Sequence, residues 1–258
     1  MTHDLALTLG FSLVIQAAFF VVAATLRTDK VTDLSYGLTF IVLAMILLGQ
    51  TREPQWPATA LAVMVVAWGV RLAAYLLYRI LHIQRDPRFD GIREHLLKFA
   101  QFWFFQGVAV WVIMLPTIVW FARAGTDRTW SLWMTGGALI WLAGLTIETI
   151  ADIQKYRAKS LAGQRSRWMS SGLWRYSRHP NYFGELLCWW GLFVFVLPDL
   201  GWWVVLGLAG PLAITGLLLF GTGIPTLEKS AQAKWGADPD YLAYRRRTSR
   251  LILWWPKR

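Results

Sequence analysis

Gly172-Leu-Trp-Arg-Tyr-Ser-Arg-His-Pro-Asn-Tyr-Phe-Gly-Glu185 runs directly into Leu186-Leu-Cys-Trp-Trp-Gly-Leu-Phe-Val-Phe-Val-Leu197. The first part holds two arginines, a histidine, an asparagine, two tyrosines and a glutamate, and the second is apolar throughout. Polar groups crowded at the mouth of an apolar segment are costly to bury unless something pairs with them. A charged ligand is such a partner. The stretch therefore reads as a binding site, and the remainder of the chain as its container.

Composition says what kind of container. The chain has 258 residues, of which 56% are hydrophobic and only 16% charged, with a mean hydropathy of +0.41. Apolar runs recur at the length of roughly 20 residues needed to cross a hydrocarbon core about 30 Å thick. Seventeen tryptophans and eight tyrosines suit the two membrane–water boundaries, where amphipathic rings settle. The expected fold is all-α, a polytopic membrane bundle of about seven spans in a single integral-membrane domain. A lone cysteine, Cys188, excludes an internal disulfide. The first apolar run lacks a small-residue cleavage site and reads as a retained span.

The expected spans are Leu5 to Leu26, Leu34 to Gly49, Pro57 to Tyr78, Gln101 to Phe121, Trp130 to Ala151, Tyr182 to Leu197 and Gly201 to Pro225. The last two form a helical hairpin joined by Pro198-Asp-Leu200. Residues 152–258 then carry the signature loop, the hairpin and a polar tail. Placing the N-terminus outside and the C-terminus in the cytoplasm puts 22 of the 26 basic residues on the cytoplasmic side. That bias is the positive-inside rule. It accounts for a net charge of +11 without a nucleic-acid partner.

Several polar positions stand out, each with a plain reading beside a functional one. Arg71 lies well inside the third span, where a charge faces the protein interior or water and marks a site; pairing with a structural carboxylate or helix carbonyls is the plain reading. Arg79, two turns on, reaches either the same ligand or the headgroups. Glu148 and Asp152 sit one turn apart at the end of the fifth span. They receive donors from a ligand, or form a salt-bridge ladder with Lys155 and Lys159.

Within the signature stretch, Arg175 and Arg178 offer forked donors suited to phosphate. His179, Asn181 and Tyr182 offer directed hydrogen bonds, and Trp174 and Tyr176 flat surfaces for stacking. A basic membrane-surface loop explains the arginines but not Asn181 and Glu185 at the start of a span. In the tail, Arg245-Arg-Arg247 reads as a solvated or lipid-facing patch, while Tyr244 and Arg247 are placed to fold back over a ligand. Dinucleotide fingerprints, Walker loops, metal clusters and nucleophile elbows are absent from the sequence.

Ser177-Arg-His-Pro-Asn-Tyr-Phe-Gly-Glu185 resembles the signature of the steroid 5α-reductase-like membrane proteins, in particular their bacterial branch of uncharacterised DUF1295 proteins. The resemblance extends to Asp33 with Tyr36-Gly37, to Trp68-Gly-Val-Arg71, to Asp152 with Lys155, and to Lys234-Trp-Gly236, Tyr241, Tyr244 and Arg247. It implies a seven-span bundle in the bacterial inner membrane that binds NADPH from the cytoplasmic side. Such proteins reduce a carbon–carbon double bond in a lipid-soluble substrate such as a steroid or another enone. By position, Asn181 and Glu185 resemble the asparagine and acid at the nicotinamide end. Tyr176, Arg178, His179, Asp152 and Lys155 resemble neighbouring cofactor contacts, and Arg71 and Arg79 the polar positions of the third span.

One departure concerns the proton. The family's steroid reductases carry a tyrosine about one turn before the arginine of the third span, and here that place falls to Trp68. An indole donates a hydrogen bond but not a usable proton, so Tyr36 or Tyr75 is left as the acid. Gln50 and Glu53 stand only approximately where those reductases have an adjacent Gln-Glu pair.

Two other functions compete. The isoprenylcysteine methyltransferase-like proteins share an Arg-His-Pro-x-Tyr-x-Gly motif and use S-adenosylmethionine; Glu228, Gly236, Tyr241 and Tyr244 fit their tail pattern. A lipid-binding scaffold that has lost the proton donor fits Trp68. Glu185 directly after Gly184, and the number of arginines, favour NADPH, which brings phosphates that S-adenosylmethionine lacks.

Overall fold

A computed structural model describes residues 1–83, 91–92, 94–123, 128–162 and 167–257, with the side chains of 79–83 and 159–162 excepted. Ten α-helices form among these residues: α1 Thr2–Thr25, α2 Thr32–Gly49, α3 Trp56–Ile83, α4 Leu96–Ile113, α5 Leu115–Ala122, α6 Leu132–Ala162, α7 Pro180–Leu200, α8 Val204–Leu219, α9 Ile224–Trp235 and α10 Pro239–Arg247. No strand is present among them; a single bridge links Ser177 and Ser249. Among the described residues six stretches are long and apolar enough to cross a membrane, and the chain is an all-helical, polytopic membrane protein.

The boundaries depart from the expected spans in three places, each for a local reason. The fourth span is broken at Met114 into α4 and α5. Pro116 falls in the first turn of α5, where its missing N–H costs nothing, but it cannot continue α4. The hairpin does not turn at Pro198, which lies inside α7. The turn comes instead at Gly201, whose φ of 54° is left-handed and open to glycine at little cost. The remainder of the expected seventh span is α8, only 16 residues long against the roughly 20 a crossing needs. The qualifying stretch is Pro180–Trp235 as a whole, which is why six are counted and not seven.

The chain forms two compact units, residues 1–136 with 192–210 and residues 137–191 with 211–258. In the first, a ladder of small polar side chains ties α1, α2 and α4 together inside an apolar setting. Ser12 Oγ donates to the Gly107 carbonyl at 2.8 Å, Gln16 Nε2 to Thr39 Oγ1 at 2.8 Å, and Gln106 Nε2 to Gln16 Oε1 at 2.9 Å. Within lipid such bonds replace the hydrophobic drive that helices lack there, each worth about 0.6 kcal/mol. Helices α2 and α3 meet where Gly37 faces Gly69 and Ala73. Phe40 fills the same interface edge-on to Trp68, ring centroids 5.1 Å apart. At the end of α7, Asp199 accepts from Trp120 Nε1 at 2.8 Å.

In the second unit α6 and α7 pack through paired glycines. Gly144 lies against Gly184, and Gly137 against Gly191. In each helix the two glycines are seven residues apart, so they return to the same face after two turns. The absence of side chains lets the two backbones approach, the small-residue packing of membrane helices. Helix α10 begins on a strong signal: Asp238 Oδ1 accepts from the Asp240 amide at 2.8 Å, with Pro239 in the first turn. Arg245, Arg246 and Arg247 in its last turn complement the helix dipole.

Candidate functional site

The signature stretch folds as a single turn of 3₁₀-helix, Gly172–Arg175, followed by the start of α7. Gly172 has φ 61°, and a side chain there would meet Gln154 of α6. Gln154 Oε1 accepts from the Leu173 amide at 2.9 Å. Trp174 is buried and donates its Nε1–H to the Ala151 carbonyl at 3.0 Å. Lys155 Nζ lies 4.9 Å from the same ring. Trp174 is thus an anchor between loop and helix, not the open stacking surface expected of it. Gln154 carries no motif, and sequence reasoning passed over it.

The charged centre of the unit is Glu228 on α9. Its Oε2 accepts from Arg178 Nη1 at 2.6 Å, and its Oε1 meets His179 Nε2 at 2.9 Å. Arg245 Nε lies 3.6 Å from Oε2. Burial pushes the His179 imidazole below its ordinary range, and Lys155 and Arg178 act in the same direction against the Glu228 carboxylate. These influences favour the neutral ring, and a carboxylate, which only accepts, suits the tautomer that donates from Nε2. His179 also stacks on Tyr182, centroids 5.9 Å apart and planes 14° off parallel.

The tail completes the loop's surroundings. Tyr244 Oη donates to the Trp174 carbonyl at 2.8 Å, and burial pushes its phenol well above the ordinary range. Thr248 to Lys257 then crosses the loop. The Arg178 amide donates to the Ser249 carbonyl at 2.8 Å and the Trp254 amide to the Tyr176 carbonyl at 3.2 Å. Tyr176 meets Trp255 edge to face, centroids 5.3 Å apart. Arg247 is exposed, and its carbonyl accepts from the Lys257 amide at 2.9 Å.

On the membrane side of the loop, Asn181 and Glu185 share the first face of α7, one turn apart. Among the described residues Asn181 Oδ1 is buried without a hydrogen-bond partner, as is Arg178 Nε. Glu185, Glu148 and Asp152 are all buried acids, at 9%, 3% and 4% exposure. Glu148 is brought to the loop's helix by glycine: a Cβ on Gly184 would stand 2.6 Å from its amide nitrogen. The neighbour that Gly184 admits is the backbone of α6.

The structure thus gathers Asp152, Lys155, Tyr176, Arg178, His179, Asn181, Glu185 and Tyr244 into the second unit, as it does Glu228 and Gln154. Arg71, Tyr36 and Tyr75 belong to the first. There the Arg71 guanidinium lies 5.6 Å from the centre of the Tyr75 ring, and Tyr36 stacks edge-on against Phe40 at 5.1 Å. Trp68 is a buried core residue. Arg79 lies on α3, with its side chain outside the described residues, as is that of Lys159. Gln50 and Glu53 line a cavity of about 490 Å³ together with Arg52, Trp120 and Arg128.

The family described as "Protein of unknown function (DUF1295)" matches residues 19–248, and the chain belongs to it. No curated protein and no solved structure matches the chain.

Proposed function

We propose that this DUF1295 member is an NADPH-dependent reductase of a carbon–carbon double bond in a lipid-soluble enone. It would work in the bacterial inner membrane with its site open to the cytoplasm. The observation that carries the reading is Asn181 Oδ1, a buried acceptor with no partner, on the same helix face as the buried Glu185. An unsatisfied buried acceptor costs about 1–3 kcal/mol. A ligand that brings an N–H to it recovers that cost, and the nicotinamide carboxamide has two.

The donor set fits the rest of the cofactor. Asp152 and Glu148 are buried acids of the same unit, and Arg175, exposed at the end of the 3₁₀ turn, suits a phosphate. Arg178 and His179 are occupied by Glu228, so their role is to hold the loop in shape. When bound, the cofactor supplies the hydride that adds to the β-carbon of the enone. Tyr36 and Tyr75 are proposed as proton donors from the sequence resemblance alone; phenylalanine at the true donor abolishes turnover and leaves NADPH affinity unchanged.

Methyl transfer from S-adenosylmethionine is the second reading, and Glu228 favours it. Glu228 neutralises Arg178, which suits a ligand without phosphates. Thermal unfolding of the detergent-purified chain separates the two, because a ligand that binds only the folded state raises its melting temperature. Stabilisation by NADPH supports the reductase; stabilisation by S-adenosylmethionine alone overturns it.

A further inference from the structure

The segment Thr248 to Lys257 is a strap over the signature loop. Its Ser249 and Leu251 carbonyls accept from the Arg178 amide at 2.8 Å and from Ser177 Oγ at 2.6 Å, and its Trp254 amide reaches the Tyr176 carbonyl at 3.2 Å. The Lys257 amide closes back on the Arg247 carbonyl at 2.9 Å. These loop residues stand two to four positions ahead of Pro180, the first residue of a membrane-crossing stretch. At such a short reach along the chain, a strap bonded to them lies at the membrane boundary.

The outward side chains of the strap have a composition that a soluble surface does not need. Ile252, Trp254 and Trp255 are 55%, 68% and 74% exposed. Arg250 and Lys257 on the strap, and Arg246 and Arg247 just before it at the end of α10, are exposed as well, and no acidic residue occurs between Tyr241 and Lys257. Arg245 is committed to Glu228 and Gln232; the other four cations are not engaged by a carboxylate in this segment. Exposed tryptophan interleaved with arginine is the pattern of a surface that sits among lipid headgroups, rings at the interface and cations on phosphates.

We propose that the strap is a contact surface for anionic phospholipid headgroups, and that the bilayer thereby steadies the signature loop from outside. This inference stands apart from the choice of cofactor, since it rests on the strap and the membrane alone. Charge complementarity names the partner: four exposed cations with no ion pair among the described residues, beside three exposed apolar side chains, match an anionic headgroup above acyl chains. A soluble anion would leave Ile252, Trp254 and Trp255 in water.

The test is an environment-sensitive maleimide fluorophore on Ile252→Cys in the full chain, reconstituted in phosphatidylcholine vesicles with and without phosphatidylglycerol. The native Cys188 is buried, so the label goes to position 252; Lys257→Cys provides a second labelling site should the first disturb folding. The expected result is a blue shift that appears with phosphatidylglycerol and is reversed by high salt. Arg246→Gln with Arg250→Gln weakens the attraction roughly fivefold per arginine, about 25-fold in all, and should abolish the shift at the phosphatidylglycerol fraction that shifts the parent. The same spectrum in both vesicles overturns the proposal. So does a shift in both that the double variant leaves alone, or a shift produced in pure phosphatidylcholine by soluble polyphosphate.

Discussion

Glu228 Oε2 accepts a hydrogen bond from Arg178 Nη1 at 2.6 Å, fifty residues away in sequence, and this pair holds the signature loop to helix α9. Both side chains are largely enclosed, at 13% and 17% exposure. Removing the carboxylate leaves a guanidinium poorly solvated, the costly half of breaking such a pair. Glu228→Ala is expected to destabilise the protein by about 2 kcal/mol. Arg178→Ala costs a similar amount, and the double variant less than the two together. Thermal melts of the four proteins measure the coupling, and strict additivity would show that the pair contributes nothing.

Burial holds the His179 pKa below its ordinary 6.5, and the sign of the pH dependence follows. The unfolded chain takes up this proton at a higher pH than the folded one. The stability linked to the neutral ring is therefore complete above about pH 6.5 and is lost as pH falls from there toward the folded value. Chemical denaturation between pH 7.5 and about 5 should show that loss, and His179→Gln should flatten it. A rise in stability over the same interval would mean that the charged imidazolium is the favoured partner of Glu228.

Tyr244 was expected to reach a ligand, and its hydroxyl instead holds the Trp174 carbonyl at 2.8 Å. Tyr244→Phe should cost about 1 kcal/mol of stability and change NADPH affinity less than about twofold, a few tenths of a kcal/mol. Melting temperature and binding, measured on the same preparation, separate a structural hydroxyl from one that touches ligand. Loss of binding at unchanged stability would assign it to the ligand.

Gly184 admits the backbone of α6, and a Cβ there would lie 2.6 Å from the Gly144 carbonyl oxygen. Backbone cannot step aside as a side-chain tip can, so Gly184→Ala should cost about 1–3 kcal/mol by overpacking. Gly216→Ala on α8, with nothing within 4 Å of the added carbon, should be neutral or stabilising. Equal melting temperatures for the two variants would contradict the close approach of α6 and α7.

Much of this architecture is legible in hydropathy alone, because lipid demands long apolar helices and the chain supplies them. The breaks are less legible. Pro198 looked like a turn and lies inside α7, while Gly201 makes the turn; both residue types punctuate chains, and only backbone geometry chooses between them. The signature loop announced itself through its density of polar side chains. Its supports did not: Gln154 is an unremarked helix residue, and the pairing of Glu228 with Arg178 spans fifty positions with no periodicity to betray it. The glycine pairs of α6 and α7 had one signal that could have found them, the seven-residue spacing shared by both helices, and the sequence reading did not use it. For Trp68, the sequence marked a departure from a tyrosine, and the structure gives it a place in the core between α2 and α3.

The central claim is that Asn181 Oδ1 waits for a donor from NADPH, and equilibrium binding in Asn181→Ala tests it. Truncation removes an unpaired buried acceptor, so the ligand-free variant should melt no lower than the parent. Titration followed by nicotinamide fluorescence should give saturable NADPH binding in the parent and at least about tenfold weaker binding, 1.4 kcal/mol, in the variant. Absence of saturable NADPH binding in the parent, or NADPH binding that the variant leaves untouched, would contradict the account.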